Sequence, residues 1–122
     1  MTNQDAWTNV CPVRDIPKGE GRNFMINGLN VVIFHSNKGF FCRSGLCKHN
    51  NVKLELGRIS GDVVTCPFHN WQYQISTGKG VSPDWTQLDC YPLEIRSDDI
   101  WVQAGKPHNA MDDAIDTSRY NW

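Results

Sequence analysis

Four residues with metal-binding side chains form two short, similar groups. Cys47 and His49 are separated by one residue, and sixteen residues later Cys66 and His69 are separated by two. Each group therefore supplies one thiol and one imidazole, both of which are ligands of transition metals. The pattern predicts a metal site that is assembled from two separate loops and uses all four side chains.

Two kinds of metal centre suit this set of ligands. In a mixed [2Fe–2S] cluster, two cysteines bind one iron ion and two histidines bind the other, which raises the reduction potential above that of an all-cysteine cluster. A structural zinc ion also uses two cysteines and two histidines, but zinc fingers usually pair cysteine with cysteine and histidine with histidine. The mixed groups in this chain favour the iron–sulfur cluster.

The composition is that of a single globular domain. The chain has 122 residues, of which 39% are hydrophobic and 20% are charged, enough for one core. A net charge of −1 provides no basic footprint for nucleic acid. The longest aliphatic or aromatic run covers only residues 31–34, far short of the roughly 20 residues that span a bilayer. Because the first residues also lack the features of a signal peptide, we expect a soluble, cytoplasmic protein with no membrane or nucleic-acid partner.

The cysteine count argues against a disulfide framework. Five is an odd number, and disulfides are rare in chains that are not exported. Outside the two ligand groups, Cys11, Cys42 and Cys90 are predicted to be small buried hydrophobic residues.

The elements that must position the ligands are predicted to be short β-strands. Residues 30–35 are rich in β-branched and aromatic side chains and follow the turn signal Asn27-Gly28, which predicts a hairpin. A second hairpin is predicted around the turn at residues 97–99. Further strands are expected at residues 39–42, 62–66 and 71–75. With no long amphipathic helix in the pattern, the chain is predicted to be all-β.

The two ligand groups resemble those of Rieske proteins, and the similarity covers roughly residues 7–105. This resemblance implies the Rieske fold of stacked antiparallel sheets, with a small cluster-binding subdomain of about residues 43–85 inserted into a base of the remaining strands. It implies a Rieske domain over residues 1–105 and a polar C-terminal tail over residues 106–122.

The resemblance also assigns residues around the cluster. Tyr73 matches a tyrosine of the family, and its hydroxyl is expected to donate to the Cys47 sulfur; ordinary strand packing is the alternative. Trp71 stands where high-potential members have a serine that donates to a bridging sulfide. Pro83 lies in the family's proline-bearing loop over the cluster. Asn70 replaces a usual glycine, and asparagine tolerates a positive φ better than most residues.

The departures from the family indicate a low reduction potential. Val52 and Phe68 occupy the positions where high-potential members carry two further cysteines, which form a disulfide. With Trp71 in the serine position as well, we expect a potential near about −150 mV, at the low end of the Rieske range. The chain thus resembles the low-potential ferredoxins that serve Rieske oxygenases, and it has no room for an oxygenase's catalytic domain.

The resemblance implies a one-electron carrier that uses one [2Fe–2S] cluster and is not an enzyme alone. It would pass electrons from a reductase to a Rieske-type oxygenase. The alternative is a detached Rieske subunit that stays bound within a multi-component oxygenase. A third hypothesis is a redox sensor or a cluster-less module related to the small subunit of nitrite reductase, although the complete ligand set argues against loss of the cluster.

Charge is concentrated around the two ligand groups. Residues 43–79 carry a net charge of +3, from two acidic residues and the cations Arg43, Lys48, Lys53, Arg58 and Lys79. These are either ordinary solvated side chains or a basic rim that steers an acidic partner.

Overall fold

The computed structural model describes residues 6–48, 51–68 and 70–105. Within these ranges the chain forms eleven β-strands and two short 3-10 turns, which confirms the predicted all-β class. No helix in the described part is long and apolar enough to cross a membrane. The predicted tail at 106–122 lies outside these ranges. The strands are β1 (Thr8–Pro12), β2 (Gly21–Ile26), β3 (Leu29–Ser36), β4 (Gly39–Ser44), β5 (Arg58–Ser60), β6 (Val63–Thr65), β7 (Gln72–Gln74), β8 (Gly80–Ser82), β9 (Cys90–Tyr91), β10 (Leu93–Arg96) and β11 (Asp99–Val102), and the 3-10 turns are Val13–Asp15 and Leu54–Leu56.

The strands form three antiparallel sheets. One has the order β1-β11-β10 and another the order β2-β3-β4-β9. We call these two sheets the base. The third, which we call the small sheet, has the order β5-β6-β7-β8 and falls between β4 and β9 in the chain. Both predicted metal-binding groups lie in this same interval, so the small sheet is the part of the fold that positions them.

The two predicted hairpins are confirmed by their turns. Asn27 and Gly28 have φ of 53° and 78°, and Ser97 and Asp98 have φ of 49° and 69°. Two consecutive residues with positive φ make the tight turn that suits the twist of paired strands. β2 therefore pairs directly with β3, and β10 with β11.

Strand β3 is buried on both faces. Val31 and Ile33 contribute to the core between the two sheets of the base. Val32 and Phe34 contribute to a second core, beneath the small sheet. All four side chains are completely buried. The uninterrupted apolar run at 31–34 therefore belongs to a strand between two cores, rather than to a half-buried strand with alternating polarity.

Polar contacts tie the base to the small sheet. Asp62, in the β5–β6 turn, accepts hydrogen bonds from the hydroxyls of Ser36 at 2.9 Å and Ser76 at 2.5 Å. Arg43 on β4 is fully buried, and its guanidinium donates to the carbonyls of Ile75 and Ser76, each at 2.9 Å. The segment that follows β7 is thus held to the base from two sides.

The cysteines outside the predicted ligand groups are buried and form no disulfide, as expected. Cys11 lies in the core of the base. Its burial, together with the charges of Asp15 and Asp99, raises the pKa of the Cys11 thiol to about 11. This thiol is therefore protonated, and unreactive, near neutral pH.

His35 is a buried histidine that the fold holds in its neutral form. It is 1% exposed, its Nδ1 lies 2.8 Å from the Ile16 carbonyl, and its ring stacks on Phe40 with centroids 3.9 Å apart. Burial lowers the pKa of His35 below 6.5, and the charge of Lys18 acts in the same direction, whereas the hydrogen bond to Ile16 opposes the shift.

We expect His35 to make the free energy of unfolding decrease as the pH falls below about 6.5, the ordinary pKa of histidine. In that range the unfolded chain binds a proton that the folded histidine resists, so protonation favours unfolding; above it the contribution is complete. Urea unfolding at pH 7.5 and at pH 5.5 tests this in the wild type and in His35→Gln. The difference between the two pH values should be smaller in the variant, and equal differences would contradict the expectation.

Candidate metal centre

Cys47 and Cys66 each begin a tightly closed loop. The Cys47 N–H donates to the Val52 carbonyl at 2.8 Å, and the Cys66 N–H donates to the Trp71 carbonyl at 2.7 Å. Each hydrogen bond joins residues five apart. The loops 47–52 and 66–71 therefore have the same length and are closed by equivalent hydrogen bonds. The first follows β4 and the second joins β6 to β7.

Each loop turns through an asparagine with a left-handed backbone. Asn51 and Asn70 both have a φ of 57°, and each lies four residues after its cysteine. Asparagine adopts this conformation more readily than other residues that have a side chain. The expectation that asparagine supports a positive φ at position 70 is confirmed. The matching role of Asn51 was missed, although its equal spacing from the cysteine is visible in the sequence.

The two loops bring their thiols together. Cys47 and Cys66 are both completely buried, and the Cys66 thiol interacts directly with the Cys47 thiol. Burial raises the pKa of the Cys66 thiol, and the neighbouring Cys47 adds to the increase, while a hydrogen bond from the Phe68 backbone acts in the opposite direction. Two thiols that meet in this way can bind a single metal ion, which displaces their protons.

The two predicted histidine ligands lie outside the described residues. His49 follows Cys47 by two residues and His69 follows Cys66 by three, so both belong to the matched loops. Their assignment as ligands stays a prediction.

Tyr73 places its hydroxyl beside the first thiol. It is fully buried on β7, and its Oη lies 3.5 Å from the Cys47 Sγ. The Lys48 N–H donates to the same oxygen at 3.2 Å. Burial raises the pKa of Tyr73, and its hydrogen bond with Cys47 contributes to the rise, so the phenol keeps its proton. The contact between Tyr73 and Cys47 is the one expected from the sequence, whereas the donation of the phenol hydrogen to the sulfur and the effect of Tyr73 on a bound metal stay predictions.

Trp71 and Pro83 both lie close to the strand that carries Tyr73. The Trp71 ring packs against the core of the small sheet and meets the Trp85 ring edge-to-face, with centroids 5.4 Å apart. The Pro83 carbonyl is close to Gly80, the residue opposite Tyr73 in the β7–β8 pair. Their proposed roles around a metal also stay predictions.

Val52 and Phe68, the residues at the positions of the family's additional cysteines, have different surroundings. Val52 is partly buried and packs against the core of the small sheet. Phe68 is 55% exposed. Phe68 therefore provides apolar surface at the tip of the second loop, rather than a buried contact.

Thr86 is a residue of this region that the sequence analysis missed. It is buried in the loop that follows β8, and its Cγ2 would lie 2.6 Å from a Cβ at Gly80, the residue opposite Tyr73 in the β7–β8 pair. The signal in the sequence is indirect: Gly80, opposite Tyr73, leaves room for the loop to approach.

Less of the basic segment reaches the surface than its sequence indicates. Arg43 is fully buried. Lys48 is exposed, but it forms an ion pair with Asp89 at 3.6 Å. Within the described part of residues 43–79, the cations that remain exposed without such an ion pair are Lys53, Arg58 and Lys79.

A comparison with protein families identifies one match. The model described as Rieske [2Fe-2S] domain covers residues 6–92 of this chain, which includes both loops, the small sheet and most of the base. The match spans well over half of the sequence.

Relatives that match most of the chain are components of oxygenase systems. The ferredoxin subunit of biphenyl dioxygenase from Pseudomonas sp. (strain KKS102) is 34% identical over 99 residues, covering 80% of this chain and 91% of the relative. The ferredoxin component of the alkene monooxygenase system from Xanthobacter autotrophicus is 28% identical, covering 79% and 80%. A chain in the complex of reduced oxygenase and oxidized ferredoxin of carbazole 1,9a-dioxygenase superposes with a TM-score of 0.76 at 27% identity, covering 87% of this chain and 98% of that one.

Proposed function

Because this chain belongs to the Rieske [2Fe–2S] family, we propose that Cys47, His49, Cys66 and His69 bind its one [2Fe–2S] cluster. The chain is an electron carrier and not an enzyme by itself. The ligand assignment rests mainly on one observation: two buried thiols interact directly, and they come from two loops of the same length that are closed by equivalent hydrogen bonds. The cluster-binding subdomain at about 43–85, within a domain of residues 1–105, is part of the same proposal.

The side chains around the thiols suit this role. When bound, the cluster supplies one-electron oxidation and reduction. Cys47 and Cys66 bind as thiolates in a region from which water is excluded. The Tyr73 hydroxyl lies within hydrogen-bonding distance of the Cys47 sulfur, and the Phe68 N–H donates to the Cys66 sulfur. Hydrogen bonds donated to a ligating sulfur stabilise negative charge there.

We propose that the electrons pass from a reductase to a Rieske-type oxygenase. The named relatives are ferredoxin components of a dioxygenase and a monooxygenase system. Alignment over 91% and 80% of their lengths supports a separate carrier rather than a subunit that is permanently bound within an oxygenase. A cytoplasmic location fits the buried, unbridged cysteines, since reducing compartments keep thiols free.

The exposed apolar side chains indicate where partners make contact. Four of the five large hydrophobic residues exposed in the described part of the chain lie between positions 56 and 85 and one lies in the base; they are Leu56, Phe68, Val81, Trp85 and Met25. Exposed aromatic residues are frequent anchors of protein interfaces. This supports contact on the side of the fold that carries the two loops, where electron transfer requires it.

Metal and sulfide analysis tests the cofactor assignment. Chain purified without oxygen should contain two iron ions and two acid-labile sulfides for each polypeptide, because two cysteines and two histidines complete one mixed cluster. A preparation with one zinc ion and no sulfide would instead indicate a structural zinc site.

A further inference from the structure

The first loop, 47–52, is carried by a shorter ladder than the second. Directly behind the second loop, β6 and β7 form three residue pairs. The two arms of the first loop, residues 45–47 and 52–54, are joined by an isolated bridge between Leu46 and Lys53. We call these two arms the stem. Contacts from outside the stem therefore matter more for holding the first loop than for holding the second.

Asn23 on β2 contacts both arms of the stem. Its Nδ2 donates to the Gly45 carbonyl at 2.9 Å, at the beginning of one arm. Its Oδ1 accepts a hydrogen bond from the Glu55 N–H at 3.0 Å, directly after the other arm. The Glu55 carboxylate in turn accepts from the Asn23 N–H at 2.6 Å. One side chain of the base thus fastens both ends of the stem, and Glu55 returns the contact.

Asn30 on β3 fixes the direction of the Asn23 amide. The Asn23 Nδ2 also donates to the Asn30 Oδ1, at 2.6 Å, so both amide hydrogens and the amide oxygen of Asn23 are used. A Cβ at Gly45 would overlap the Asn30 Oδ1 and would lie 2.5 Å from the Asn23 Nδ2. The absence of a side chain at Gly45 therefore makes room for the two amides against the stem.

We propose that Asn23 is a positioning residue that holds the first loop, and with it Cys47, in place for the cluster. The inference rests on the proposed function, because it takes Cys47 as a ligand. Cys47 is the last residue of the arm that begins at Gly45. Without the Asn23 side chain, the stem should open more often while the rest of the domain stays folded, because local openings cost less free energy than global unfolding. Each opening would release Cys47 from its position.

Hydrogen exchange followed by mass spectrometry measures the opening of each loop in the cluster-bound chain. In Asn23→Ala, peptides that cover the stem should exchange about tenfold faster than in the wild type, because the substitution removes both side-chain hydrogen bonds that fasten it. Peptides that cover residues 63–74 should keep the wild-type rate. Equal acceleration in both loops would show a global effect and would overturn the proposal.

The rate of cluster release to an iron chelator, followed by visible absorption, is the second measurement. Asn23→Ala should release the cluster faster than the wild type. Ser36→Ala is the matched control, because the fully buried Ser36 links the base to the β5–β6 turn through Asp62 at 2.9 Å, away from the stem. It should release the cluster more slowly than Asn23→Ala and leave the exchange of the stem near the wild-type rate. Equal release by the two variants would contradict the proposal.

Two substitutions of Asn30 provide an independent test if Asn23→Ala does not fold. Asn30→Asp keeps an oxygen that can accept from the Asn23 amide, whereas Asn30→Ala removes it. The stem should therefore exchange faster in Asn30→Ala than in Asn30→Asp. Equal rates, or the reverse order, would show that the direction of the Asn23 amide does not matter for the stem.

Iron and sulfide analysis keeps these tests distinct from that of the proposed function. A wild-type chain without iron and sulfide would refute the ligand assignment. A loaded wild-type chain whose stem exchanges at the same rate as that of Asn23→Ala would refute only the role of Asn23.

Discussion

Replacing Cys66 with alanine should abolish the visible absorption and remove the bound iron of the purified chain. Cys66 is completely buried and meets Cys47 at the start of the second loop, so no described thiol is placed to substitute for it. Metal binding is coupled to folding. The free energy of unfolding should therefore fall by more than the loss that an ordinary point mutation causes, which is about 0.5–3 kcal/mol. Iron analysis, visible spectra and urea unfolding measure these effects.

Cys42→Ala is a matched control for this substitution. Cys42 is as fully buried as Cys66, but it lies in the core of the base. Cys42→Ala should keep the iron and show only the cost of a small cavity. A Cys66→Ala chain with an unchanged visible spectrum would show that Cys66 is not a ligand.

Arg43→Met should cause a large loss of stability, on the order of 3 kcal/mol. The Arg43 guanidinium donates to the carbonyls of Ile75 and Ser76, each at 2.9 Å, and to that of Cys42 at 2.8 Å. It also lies 5.1 Å from the centre of the Phe41 ring. Methionine fills much of the space but leaves these buried acceptors without their donor, and each such loss costs about 1–3 kcal/mol.

Urea unfolding of Arg43→Met and Arg43→Lys measures this contribution. Lysine keeps the charge and part of the hydrogen bonding, so it should lose less stability than methionine. Arg22, whose side chain is 47% exposed, provides the control, and Arg22→Met should change stability by no more than about 0.5 kcal/mol. If Arg43→Met were as stable as Arg22→Met, the hydrogen bonds of Arg43 would not stabilise the contact between the base and the small sheet.

The features that were predictable from the sequence are those with local signals. Asn27-Gly28 carries its own preference for positive φ, and the hairpin at this turn follows from that preference. Asn70 was recognised for the same reason. The pairing of cysteine with histidine in each loop indicated a metal site, because ligand chemistry depends on residue type and short spacing.

The features that were missed depend on contacts between distant parts of the chain. Thr86 packs on Gly80, opposite Tyr73, because the loop after β8 turns back over that strand, and no local pattern contains that information. The charge count treated Arg43 as part of a basic rim, whereas its guanidinium is buried against backbone carbonyls. A sequence records the number of charges but not their solvent exposure, so the rim was overestimated.

The central strand of the base also limits how the metal centre could be moved into another protein. Residues 43–85 form one continuous segment of the sequence that could in principle be transferred. However, Val32 and Phe34 on β3, outside this segment, form one wall of the core beneath the small sheet. A graft of that segment would need a host strand with two apolar side chains at alternate positions in the same place. A substitution that destabilises the base should likewise affect the cluster without altering any ligand, because β3 contributes side chains to both cores.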